Sequence, residues 1–233
     1  MSATFLIVNA DDFGQSAGVN LGIIQAHERG IVTSTSMMIR WPAATDAAVY
    51  SRTHPELSVG LHVDFGEWIC RDGEWSRLYQ VIDEADPAAV SAEVRRQLEA
   101  FRDLTGRDPS HIDSHQHAHR NEPARSIVLD AARSLGIPVR HFSRTVRYHG
   151  NFYGQDDAGT PYHEGISTEG LISLLRSLEP GYHELGCHPG LGDDLETMYR
   201  HERALEVATL CDPRVRASLA SLGIALRSFH DVQ

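Results

Sequence analysis

The sequence predicts an α/β fold, an irregular (β/α) barrel over residues 1–233 as a single domain. Two observations predict it. Short β-rich apolar runs alternate with amphipathic stretches along the whole chain, and that alternation implies parallel strands joined by helical crossovers. Roughly six or seven such strand–helix units fit a barrel better than a small open sheet. Composition agrees, since 233 residues with 41% hydrophobic and 23% charged suffice for a sizeable core.

The elements follow in order. Phe5-Leu6-Ile7-Val8 is a buried strand that ends at Asn9-Ala10-Asp11-Asp12. A helix from Ala17 to Arg29 is stopped by Gly30, and Val32–Met38 is the second strand. Ala43–Arg52 is helical between Pro42 and Pro55, and Leu57–His62 is the third strand. Ala88–Leu104 carries apolar residues at Val90, Val94, Leu98 and Phe101, one face of a helix. Pro109–Ser114 is the fourth strand, Pro123–Leu135 a helix closed by Gly136, and Ile137–Arg140 a short fifth strand. Ile172–Leu178 belongs to a helix and Tyr182–Cys187 to the sixth strand; two more helical stretches and Ile224–Leu226 finish the chain. Two connections, 65–87 and 143–167, are long enough to be functional loops. They hold Trp68, Trp75 and Tyr79 in one, and Tyr148, Phe152, Tyr153 and Tyr162 in the other.

Bulk properties exclude several function classes. A formal net charge of −11 repels phosphate backbones, so no nucleic-acid partner is expected. No apolar run reaches the roughly 20 residues that span a bilayer, and the segment starting Met1-Ser2-Ala3-Thr4 lacks a basic leader. The expectation is a cytoplasmic protein without membrane contact. Cys70, Cys187 and Cys211 are three in number and widely spaced, which reads as free thiols in a reducing compartment. Cys187, inside an apolar strand, reads as buried thiol rather than nucleophile. All 21 basic residues are arginine. That removes a Walker-type phosphate loop, a Schiff-base lysine and a lysine general base.

The polar residues that matter sit where strands end, and in a parallel barrel those ends share one face, where active sites are built. Asp11-Asp12 is a pair of adjacent carboxylates beside an apolar strand, costly unless a cation is near. One of them suits metal ligation and the other a base; an N-cap for the next helix is the competing role. His62 closes the third strand. His111-Ile112-Asp113-Ser114-His115-Gln116-His117-Ala118-His119 is the densest signal, its odd positions falling on one face if the segment stays extended. One or two of these histidines should ligate metal, with Asp113 orienting an imidazole and His111 and His119 peripheral or substrate-facing. His188, held between Cys187 and Pro189-Gly190, suits a general acid across the rim. One Asp and two His make a three-ligand site with open positions, which polarises a carbonyl and acidifies water. With a free carboxylate alongside, those roles describe hydrolysis of an amide or ester. A non-haem iron oxygenase also uses two His and one carboxylate, but needs no adjacent base.

Asn9-Ala10-Asp11-Asp12-Phe13-Gly14, Gly60-Leu61-His62, His111 to His117, and Cys187-His188-Pro189-Gly190 resemble the YdjC-like carbohydrate deacetylases. Thr33-Ser34-Thr35-Ser36 and Phe152-Tyr153-Gly154 look like features of the same family, and the match runs in order from about residue 5 to about residue 190. The resemblance implies a distorted (β/α) barrel related to polysaccharide deacetylases, acting on N-acetylated amino sugars such as chitooligosaccharides. It implies Asp11 as the base, Asp12, His62 and His115 as ligands of one divalent metal ion, and His188 as proton donor. Asp113, His117 and Tyr153 are then substrate-contacting or ligand-orienting residues. Magnesium is implied by the family; zinc or manganese suit two imidazoles equally. The expected partner is a small saccharide, with a homodimer left open. The non-enzymatic alternative is a catalytically inactive sugar-binding protein on the same scaffold.

Overall fold

In the computed structural model, which describes residues 3–71, 73–156 and 158–232, seven strands form one all-parallel sheet. Met1 and Ser2, the first residues of the segment read above for a leader, lie outside the described residues. The elements run β1 (Thr4–Phe13), α1 (Ala17–Glu28), β2 (Ser34–Met37), α2 (Ala44–Thr53), β3 (Ser58–Val63), β4 (Gly66–Arg71), β5 (Glu74–Gln80), α3 (Pro87–Thr105) and β6 (Ile112–Ser114). Then come α4 (Ala124–Leu135), β7 (Val146–His149), α5 (Thr168–Arg176), β8 (Gly181–Cys187), α6 (His201–Leu210), α7 (Pro213–Leu222) and β9 (Ile224–Arg227).

The sheet order is β6-β3-β2-β1-β8-β7. Strand β1 is the hub. Along one edge it pairs with β8 from Thr4 to Ala10; along the other it pairs first with β9 (Thr4–Ile7) and then with β2 (Asn9–Phe13). One long strand thus serves two neighbours on the same edge, a split that bends the sheet. Among the described residues the outer strands β6 and β7 do not pair, so the predicted barrel is a curled sheet open at its rim. Leu6, Val8 and Ala10 of β1, Leu61 of β3, Ile112 of β6 and Leu185 of β8 are fully buried. Burial on both faces is why β1 opens on the continuous apolar run Phe5-Leu6-Ile7-Val8 rather than an alternation. Helices cover the sheet, and α1, α3, α5 and α7 begin on side-chain caps: Ser16 accepts from Val19 N–H, for example, and Asp86 from Ala88 N–H ahead of Pro87.

Four expectations are corrected. The connection 143–167 is not a plain loop: it contains β7, an outer strand of the main sheet paired with β8. The segment 65–87 contains an antiparallel hairpin, β4–β5, rather than a plain loop. Most of β5 is exposed, so no burial alternation marks it in sequence. Ile137–Arg140 is not a strand; it makes a single bridge, Ile112 to Val139, and Pro138 has no N–H for a further ladder bond. The extended reading of 111–119 fails after Ser114. His115–Arg120 is a 3₁₀ turn in which Gln116 and His117 take left-handed φ values of 48° and 55°. His111 and His119 are consequently neither peripheral nor substrate-facing but fully buried. The His111 ring stacks on Phe229 at 3.8 Å and fills the space above Gly60, where a Cβ would come within 2.4 Å of it.

Candidate active site

The C-terminal ends of the parallel strands converge on a cavity of about 560 Å³. Asp11, Asp12, His62, His115, His117, Tyr153 and His188 all line it. Asp113 lies beneath it, fully buried. Cavities of this volume take small organic ligands.

Asp11 and Asp12 reach the floor from the end of β1 because the strand stops being regular there. The register with β2 shifts between Ala10 and Phe13, and Asp12 takes φ 70°. Adjacent residues of a regular strand point to opposite faces; the irregularity brings both carboxylates to the same floor. Neither is a helix cap, a role held by Ser16.

Asp12 is a point of convergence. Its Oδ1 lies 3.3 Å from His62 Nε2 and 3.1 Å from His115 Nδ1, and its Oδ2 accepts from Arg203 at 2.7 Å. Burial favours the neutral acid, but Arg203 and the two imidazoles outweigh it and hold this carboxyl well below its usual range. Burial would likewise lower His62, yet Asp113 and Asp11 raise it to about 9. His115 is raised too, against burial, by Asp12 and Glu67. Two imidazoles that hold protons this firmly around one carboxylate occupy a site that wants positive charge. Buried donors from one Asp and two His fit a divalent cation by number, type and spacing. His115 Nε2 is also a buried atom without a hydrogen-bond partner.

A second set with metal-like spacing, Asp11, His62 and Asp113, is already filled. The Arg140 guanidinium sits in it, fully buried. Its Nη1 and Nη2 donate to the two oxygens of Asp11 at 2.6 and 2.7 Å and Nε to Glu184 at 2.7 Å, while Nη2 also forms an ion pair with Asp113 at 2.8 Å. Asn9 Nδ2 donates to Asp11 at 2.9 Å and to Ser36 at 2.7 Å. Burial pushes Asp11 up, but Arg140 prevails and leaves it ionised below the usual range. Asp113 accepts from His62 Nδ1 at 2.7 Å and from Ser36 at 2.6 Å. That contact fixes the His62 ring and leaves its Nε2 toward Asp12.

His188 follows β8, with Nε2 at 3.7 Å from Asp11 Oδ2 and a buried Nδ1 that has no partner. Burial pushes it down to about 4, so it is a neutral imidazole at pH 7. Its backbone N–H donates to Glu206 and its carbonyl accepts from Arg203, both on α6. Tyr153 stacks on Tyr199 at 4.4 Å and meets His188 edge-on at 5.4 Å. His117 is also lowered by burial, to about 3, and packs against His141 and Tyr148. Trp75, Tyr148 and Phe152 contribute aromatic wall, while Trp68 and Tyr162 are exposed and outside it. Tyr79 is turned inward, its hydroxyl on Asp64. Cys187 is buried, donating weakly to Asn9 C=O, with its thiol pushed up by desolvation.

The sequence reading missed Arg140, Arg203, Glu67 and Glu184. Arg140 closes the run Ile137–Arg140, and a charge following an apolar run is the same signal that picked out Asp11 and His188. Arg203 lies inside α6, 191 residues from Asp12, and nothing local marks it.

Comparison with known proteins identifies the family and the fold. A family model described as YdjC-like protein matches residues 5–221. A carbohydrate deacetylase of Geobacillus stearothermophilus is 33% identical, covering 97% of each chain. A chitooligosaccharide deacetylase of Serratia marcescens is 34% identical over 97% of this chain and 98% of that one. Among solved structures, a protein from Enterococcus faecalis V583 with a suggested role in cellobiose-phosphate cleavage superposes with TM-score 0.80 at 27% identity, covering 99% of both chains. A family 4 carbohydrate esterase of Streptomyces lividans shares the fold at TM-score 0.58 and 13% identity, covering 99% of this chain and 96% of that one. The chain belongs to the YdjC-like family.

Proposed function

We propose that this protein is a metal-dependent hydrolase that removes acetyl groups from N-acetylated amino sugars of the chitooligosaccharide type. One observation carries the reading: a buried carboxylate, Asp11, stands beside a separate three-donor cluster, Asp12, His62 and His115, on the floor of a saccharide-sized cavity. The relatives named as carbohydrate deacetylases support the substrate class.

Asp12, His62 and His115 would hold the cation. When bound it supplies Lewis acidity toward the acetamide carbonyl and the attacking water. Two imidazoles and a carboxylate suit zinc or manganese as well as magnesium. Asp11, kept ionised and pinned by Arg140, takes the proton of the water. The departing sugar amine needs a proton in turn. His188 is neutral and 3.7 Å from Asp11, so it can accept a proton on one nitrogen and release one from the other, serving as proton donor by relay. Trp75, Tyr148 and Tyr153 offer ring faces and edges to the sugar. The three free thiols suit a reducing compartment, the cytoplasm. No helix among the described residues is long and apolar enough to cross a membrane.

The test is acetate release from N-acetyl chitooligosaccharides before and after treatment with a chelator. Activity that disappears with the chelator and returns with added Zn²⁺, Mn²⁺ or Mg²⁺ is expected. Undiminished turnover in the chelated protein refutes the metal, and no acetate from any N-acetyl saccharide refutes the substrate class.

A further inference from the structure

We infer that Glu67 is a positioning residue for the metal centre, orienting His115 as Asp113 orients His62. The inference rests on the metal-site reading above and extends it to a residue on the β4–β5 hairpin.

The two imidazoles are arranged alike. His62 turns Nε2 to Asp12 and Nδ1 to a buried carboxylate, Asp113, at 2.7 Å. His115 turns Nδ1 to Asp12 and Nε2 to another buried carboxylate, Glu67, whose Oε2 is 3.5 Å away. Glu67 is only 3% exposed. Its Oε2 and His115 Nε2 are both buried atoms without a hydrogen-bond partner, and they face each other. Flipping the His115 ring would present carbon to both carboxylates, so the two contacts together fix its orientation. With Nδ1 facing the metal donors, Nε2 carries the proton, and Glu67 is the acceptor within reach.

The placement of Glu67 is built rather than incidental. Its Oε1 accepts from Thr197 at 3.0 Å. The next residue, Trp68, is clamped by the Gln116 side chain, whose Oε1 accepts from Trp68 N–H at 2.8 Å and whose Nε2 donates to Trp68 C=O at 2.7 Å. Gln116 can reach because it takes left-handed φ 48° directly after His115. The residue that follows the ligand therefore grips the strand that carries the ligand's partner. The same hairpin bears Trp75, which lines the cavity. A displacement of the hairpin is thereby linked to the imidazole at the metal.

The experiment measures Co²⁺ affinity by calorimetry, and the Co²⁺ absorption bands, for wild type, E67A, E67Q and E67D. Loss of a carboxylate behind a ligating histidine weakens metal binding by about 10- to 100-fold. E67A is expected to show that loss with altered bands. E67Q, which keeps an acceptor of the same shape, should fall between E67A and wild type and keeps the test open if E67A fails to fold. The melting temperature of the metal-free protein should change little, while its rise on adding Co²⁺ shrinks in step with affinity. A wild type that binds Co²⁺ alongside E67A and E67Q of equal affinity and unchanged spectrum overturns the role of Glu67. A wild type that binds no divalent ion overturns the metal site itself.

Discussion

Replacing Arg140 by methionine tests the electrostatic centre of the site. The guanidinium is fully buried and lies 2.6–2.8 Å from carboxylate oxygens of Asp11, Asp113 and Glu184. Removing one partner of a buried ion pair costs about 3–5 kcal/mol, because the other charge stays desolvated. A ceiling follows from protonation. An orphaned carboxyl with an ordinary pKa near 3.9 can take up a proton for about 5 kcal/mol at pH 7.5 and about 2 kcal/mol at pH 5.5. Asp11 keeps Asn9 as a donor, and Asp113 keeps His62 and Ser36, which moderates the loss. R140M is therefore expected to lose about 3–5 kcal/mol at pH 7.5 and about 2 kcal/mol at pH 5.5. For a chain of this size that is a drop of roughly 6–20 °C in Tm at the higher pH. The assay is guanidinium unfolding followed by circular dichroism at both pH values. A loss under about 1 kcal/mol at pH 7.5, or an equal loss at both pH values, refutes the reasoning.

Three further outcomes are expected. D11N should lower acetate release by about 10²- to 10⁴-fold while its Co²⁺ affinity stays within a few-fold of wild type; full activity would remove Asp11 as base. His111 is pushed down to about 3 by burial, below the 6.5 of an unfolded imidazole. The unfolded chain thus binds the extra proton between those values, and stability falls as pH drops through that window. H111Q should flatten this loss, by about 2 kcal/mol between pH 7 and 5, as read from unfolding curves at each pH. W75A should raise KM for N-acetyl chitooligosaccharides on the order of 10-fold with little change in kcat; an unchanged KM would place the sugar elsewhere in the cavity.

Much of the molecule is determined by the sequence itself. Strand β1 is legible because burial on both faces makes Phe5–Val8 an unbroken apolar run, β3 and β8 because short β-rich segments fall between helical stretches, and the helices because their stop residues and apolar spacing are local. The clustering of Asp11, Asp12, His62, His115 and His188 is legible for a related reason: parallel strands put their C-terminal ends on one side, so polar residues at those ends must share a rim. The tertiary structure alone decides what long-range pairing controls. Arg140 and Arg203 acquire meaning only when they neutralise carboxylates more than a hundred residues away. The turn that ends the extended run after Ser114 accompanies a contact between the Gln116 side chain and the Trp68 backbone, a pairing 48 residues apart that nothing local in the sequence marks. His111 and His119 are chemically the equals of His115 in sequence. They differ because Gly60 and Phe229 enclose the first and Ser114 and Arg140 hold the second, while His115 turns toward a buried carboxylate.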